Sequence, residues 1–159
     1  MRNRMITAAA AVAVTALSVV GTITPASAAS KSHLSVDMKV VNGTDTVLLP
    51  TSGEPATVSD GGRFHPAPRP VLGIDAPDEN AHTWSASAAH AFQATAPYFL
   101  SGEKLYMLYV NAEVHRNHKN RASCVVRNMH GEVDESEFHC EASIDNDKRA
   151  KGLAVVTPR

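Results

Sequence analysis

The stretch "VLGIDAPDEN" (71–80) drives an apolar run, Val71-Leu72-Gly73-Ile74, into Asp75, and places Asp78 and Glu79 just beyond Pro77. A strand that ends in a carboxylate, with proline fixing the next turn, gathers several carboxylate oxygens at one rigid edge. Such oxygens suit a hard divalent cation. The same composition also makes an ordinary surface turn. Further along, His115 and His118 lie three apart in "EVHRNHKN", a transition-metal spacing only if that stretch is helical; its polarity reads as an exposed loop. Tyr106 and Tyr109 fall on one apolar strand, where an aromatic ring either packs in the core or stacks on a base.

The elements that would position these residues begin after residue 28. "MRNRMITAAAAVAVTALSVVGTITPASA" has a positive start (Arg2, Arg4), an apolar run from Ile6 to about Thr24 and a small-residue cleavage site at Ala26-Ser27-Ala28. Residues 1–28 are therefore expected to be a signal peptide and 29–159 a single secreted domain, with no membrane attachment after cleavage. Without Arg2 and Arg4, 13 of the 15 basic side chains remain against 16 acidic ones. That balance carries no global basic footprint for tight nucleic-acid binding. Cys124 and Cys140 are the only cysteines. Export makes a disulfide between them the default, closing a loop of about 15 residues.

Residues 33–41, "HLSVDMKVV", alternate apolar and polar as a half-buried strand does. Asn42-Gly43 signals a hairpin, with "TVLL" (46–49) as the returning strand. The next twenty residues are rich in Gly, Pro and Ser and read as loop, with one short strand at 56–59 and another at "VLGI". Trp84, Ala88, Ala91, Phe92 and Phe99 fall near helical spacing, Thr83 or Ser85 offers a cap, and Pro97 ends or bends the last turn; a helix is expected there. "KLYMLYV" (104–110) is a strand apolar on both faces, followed by "ASCVVRNM" (122–129), a turn at His130-Gly131, and "EFHCEAS". The end, "DNDKRAKGLAVV", reads as a short, weakly amphipathic helix or a tail. This order predicts a β-rich α+β domain, a small OB-type five-stranded Greek-key barrel with a helix between strands 3 and 4. An open α+β sheet is the competing arrangement.

"NGTDTVLL", "RPVLGIDAPDE", "WSASAAHAF", "KLYMLYV", "HKNRASCVV" and "KGLAVV" resemble, in that order, the successive motifs of the thermonuclease (staphylococcal nuclease-like) family. The likeness is best over residues 36–129, and its most specific piece is "LGIDAP". It implies a secreted Ca²⁺-dependent phosphodiesterase acting on single-stranded DNA or RNA, and a monomer. By that resemblance Asp45 and Asp75 are metal carboxylates and Ala76 adds its carbonyl. Asp78, with Glu79 as a neighbouring substitute, positions the attacking water. Arg121 stabilises charge on the phosphate, and Arg69 stands one residue early for a second arginine.

The chain departs from the family pattern at Pro70, which occupies that arginine's place, at Asp78, one methylene shorter than the family glutamate, and at 130–145, an insertion that holds Cys140. Two further functions stay open on the residues alone. One is an OB-type binding module that has lost catalysis; the other is an unrelated secreted structural or inhibitor-like domain.

Overall fold

The computed structural model describes residues 33–159; the signal peptide expected at 1–28 lies outside the described residues. Ten strands run in chain order: β1 (Leu34–Asn42), β2 (Leu49–Pro50), β3 (Thr57–Val58), β4 (Arg63–Phe64), β5 (Ala81–Ala88), β6 (Phe92–Ser101), β7 (Leu105–Val114), β8 (Arg121–Asn128), β9 (Phe138–Ile144) and β10 (Arg149–Pro158). They form two sheets, one ordered β4-β5-β1-β10-β9 and the other β2-β6-β7-β8, with β3 also pairing with β6. β1 and β10 run parallel, and every other named pairing is antiparallel. The inner faces of both sheets contribute to one buried cluster.

This architecture corrects the α+β expectation. The described residues contain no helix, and the sheets do not close into an OB-type barrel. The expected helix is instead two strands, β5 and β6, joined by a bend at 89–91 that carries the chain from one sheet to the other. Period two wins over period 3.6. Trp84, Ala86 and Ala88 are buried on β5 while Ser85 and Ser87 are partly exposed, and Phe92, Ala94, Ala96, Tyr98 and Leu100 are buried on β6. Alanine's helix preference is weak beside the burial gained by laying two apolar faces onto the core.

Pro97 sits within β6 and tolerates the sheet for a local reason. Its carbonyl accepts from the Thr51 amide at 3.3 Å, in the gap between the short partners β2 and β3. A residue's amide and carbonyl point to the same side of a strand, so the missing N–H faces that gap and no β7 ladder bond is lost.

The tail is also a strand. β10 lies inside its sheet, between β1 and β9. Gly152 pairs with Met38, and a Cβ there would meet the Met38 sulfur at 2.8 Å and the Ser143 carbonyl at 3.1 Å. Glycine is what lets the methionine fill that layer.

β8 and β9 are edge strands of different sheets, and Cys124 on β8 is bonded to Cys140 on β9 with 5.5 Å between their Cα atoms. The disulfide joins the two sheets along their shared edge. Edge-to-face aromatic pairs add to the packing, Phe64 on Trp84 at 5.3 Å and Tyr106 on Phe138 at 5.5 Å.

Candidate functional site

The Asn42-Gly43 dipeptide does not turn a hairpin. β1 ends there, and the chain crosses to the other sheet. Asn42 is fully buried and uses its whole amide: Nδ2 donates to the carbonyls of Thr46 (2.6 Å) and Val71 (3.2 Å), while Oδ1 accepts from the Thr44 amide (3.1 Å) and hydroxyl (2.7 Å). The side chain thereby ties the 44–46 turn to the 71–75 segment. The Ile74 amide donates to the Thr44 carbonyl at 2.8 Å, and Leu48 and Val71 exchange backbone bonds at 2.9 and 3.0 Å. Gly73 lies against this turn so closely that a Cβ would meet the Thr44 carbonyl oxygen at 2.6 Å and the Asp45 carbonyl carbon at 2.8 Å. The glycine of "LGIDAP" is thus accounted for by packing of one turn on another.

The structure brings the turns carrying Asp45 and Asp75 together. Both residues are exposed, and among the described residues neither carboxylate has a hydrogen bond or an ion pair. Of the segment beyond Asp75, Ala76 is half-buried and its carbonyl accepts from the Glu79 amide at 2.9 Å; Asp78 and Glu79 are exposed. No group of three or more His, Cys, Asp or Glu side chains among the described residues is arranged to hold a metal ion. Two carboxylates and one shared carbonyl would supply only part of the six to eight oxygens that calcium takes, the rest being left to water.

Arg69 is exposed on the approach to Val71. Arg121 opens β8 opposite Glu113, whereas Asp45 lines an open groove with Ser101, Gly102 and Glu103 at the β6–β7 turn. From Leu105 to Glu113 the chain climbs most of β7, ~27 Å at ~3.4 Å per residue. Arg121 and the paired carboxylate turns therefore occupy opposite ends of the sheet.

His115 and His118 meet edge to face at 6.0 Å between ring centroids, with His115 Nε2 3.7 Å from Glu113. His139 on β9 has Nδ1 3.1 Å from Glu135 and Nε2 3.2 Å from Glu141, and when protonated its ring donates to both carboxylates. The Glu135 bond first, and the Glu141 bond after it, hold the His139 pKa above the ordinary histidine value. Arg159 completes that corner on Glu135 at 2.9 Å.

The tyrosines part company. Tyr106 points into the core, its hydroxyl donating to Glu137 at 2.7 Å, while Tyr109 stands on the outer face. Register sorts that outer face of β6, β7 and β8 into rows. Gln93, Glu113 and Arg121 form a charged row, and Thr95, Asn111 and Ser123 a polar one linked by hydrogen bonds of 2.8 and 3.3 Å. Pro97, Tyr109 and Val125 follow. The next row spans the whole sheet: Leu49, Phe99, Met107, Arg127 and, through an isolated bridge, Val133.

Polarity thus falls along the face toward the β6–β7 turn. At its apolar end lies a concavity of about 250 Å³ lined by Phe99, Met107, Tyr109, Met129, Glu54 and Arg127, among others. Leu49, Met129 and Val133 are about half exposed or more, at 49%, 57% and 62%. The Tyr109 hydroxyl donates to Glu54 at 2.6 Å, a bond that raises the tyrosine pKa, and Arg127 donates to the Gly131 carbonyl. Met107 and Arg127 were not singled out by spacing, and Phe99 was placed on a helical face. The signal for them is "KLYMLYV", apolar on both faces: in a two-layer domain one of those faces must look outward.

The fold and this face define a two-sheet, all-β domain with one apolar outer surface. No protein-family model and no curated protein matches the chain.

Proposed function

We propose that the protein is an exported, non-catalytic recognition domain that works through the outer face of β2-β6-β7-β8. One observation carries this reading: the row Leu49-Phe99-Met107-Arg127-Val133 continues across the sheet as a largely apolar band, exposed at Leu49 and Val133 and half-buried between them. Contiguous exposed apolar surface is costly in water and marks interaction sites. The Cys124–Cys140 bond supports an oxidising compartment.

A phosphodiesterase of the kind implied by the motif resemblance needs its carboxylates and its arginine around one phosphate. The strand length separating Arg121 from Asp45 and Asp75 weighs against that arrangement. Packing accounts for Asn42 and Gly73 in these segments without chemistry.

The proposal is tested with an anilinonaphthalene-sulfonate dye on the folded, oxidised domain. The wild type is expected to bind the dye, and Phe99→Glu and Met107→Glu to weaken binding roughly tenfold each, the cost of losing one buried apolar contact. Circular dichroism checks that the variants keep the fold. Dye binding unchanged in both variants would overturn the assignment to this face.

A further inference from the structure

We infer that the occupant of this face is a second copy of the same chain, docked about a two-fold axis; the inference rests on the recognition face proposed above. The composition is that of an interface core. Phe99, Met107, Tyr109, Met129 and Arg127 line the concavity and no lysine does. Aromatic residues, methionine and arginine are the types enriched at interface cores, and lysine is depleted there.

The charges say which partner fits. The same concavity carries one carboxylate, Glu54, and one guanidinium, Arg127. Glu54 is held in place by the Tyr109 hydroxyl. A face that bears a charge of each sign can pair with a copy of itself, each charge meeting its opposite across a two-fold axis. A two-fold axis through the face sets Glu54 of each copy opposite Arg127 of the other, forming two equivalent ion pairs over the apolar row.

On this inference the protein is in a monomer–dimer equilibrium, in place of the monomer expected from the resemblance. The face is four strands wide, ~19 Å at ~4.8 Å per strand, and the apolar part covers only its lower rows. Such an area belongs with weak, transient contacts.

Sedimentation equilibrium of the oxidised domain, from about 5 μM to about 1 mM to span weak association, decides the matter. The wild type is expected to dimerise in this range. Glu54→Arg and Arg127→Glu each set like charges opposite one another and should weaken the dimer roughly tenfold or more. The double variant Glu54→Arg/Arg127→Glu restores two opposite-charge pairs and should return to within about threefold of wild type. Met107→Glu, which leaves both charges in place, should also abolish the dimer. A wild type that stays monomeric throughout, or a double variant no better than the singles, overturns the inference. If the dye still binds a monomeric wild type and is lost in Met107→Glu, self-association alone fails. Absence of both dimer and dye binding removes the recognition face as well.

Discussion

Replacing Asn42 with alanine is expected to destabilise the domain by about 3 kcal/mol, more than an average point substitution. Asn42 is fully buried and spends two donors and an acceptor with two bonds on the turns it joins. Without it the Thr44 amide and hydroxyl lose their acceptor inside the protein. The Thr46 carbonyl keeps only a 3.5 Å contact to the Thr44 hydroxyl, whereas the Val71 carbonyl keeps the Leu48 amide. Each buried group left unmatched costs about 1–3 kcal/mol, and the partial replacements hold the sum near the middle of that scale.

Asn42→Asp is the informative companion. It preserves the acceptor for Thr44 but turns a carboxylate oxygen toward two carbonyls, so it should be at least as damaging as alanine. Urea denaturation at neutral pH measures both. A loss below about 1 kcal/mol for each would mean that water reaches the turns and that the amide does not organise them.

The second large effect belongs to the disulfide. Cys124→Ser/Cys140→Ser is expected to lower stability by about 3 kcal/mol, the chain-entropy value for a loop of this length, and the melting temperature by roughly 10 °C. The bond spans 16 residues in sequence and is the covalent link between two edge strands that belong to different sheets. Its removal frees the 129–137 connection in the unfolded chain and leaves the β8–β9 edge held by packing alone. Cys140 is buried, so the serine hydroxyl there adds a polar group to the core; Cys140→Ala with Cys124→Ala separates this effect from the loop entropy. Equal melting temperatures for oxidised, reduced and alanine forms would show that the edge does not depend on the bond.

Much of the strand framework was legible in the sequence. The alternation of 33–41 is β1, and 104–110, 122–129 and 137–143 fall on β7, β8 and β9. The Cys124–Cys140 pairing followed from export and from there being only two cysteines. The β5–β6 segment was misread because Trp84, Phe92 and Phe99 are large and happen to fall near helical spacing; the small residues between them, Ser85, Ala86, Ser87 and Ala88, carried the period-two signal. A proline inside the run argued for a helix end. Its actual tolerance depends on a gap between two short strands, which no local pattern encodes.

β10 was hidden for a similar reason. Its inward stripe includes Gly152, which makes no hydrophobic mark of its own, and its place beside β1 is a contact between the two ends of the domain. Asn42-Gly43 has hairpin chemistry by type, but burial of Asn42 converts the dipeptide into a crossing point between sheets. At the candidate site, Asp45 and Asp75 do come to neighbouring turns, and the sequence spacing could not reveal that Arg121 lies a strand length away.

The central claim is that the sheet face is the working surface and that the carboxylate turns serve the fold. Its most direct test is incubation of heat-denatured DNA and of RNA with the folded protein, in calcium and in chelator, beside the Asp45→Asn/Asp75→Asn variant. No cleavage above that of the variant, in either condition, is the predicted result. Calcium-dependent cleavage by the wild type that vanishes in the variant would contradict the claim and make the carboxylate turns a catalytic site.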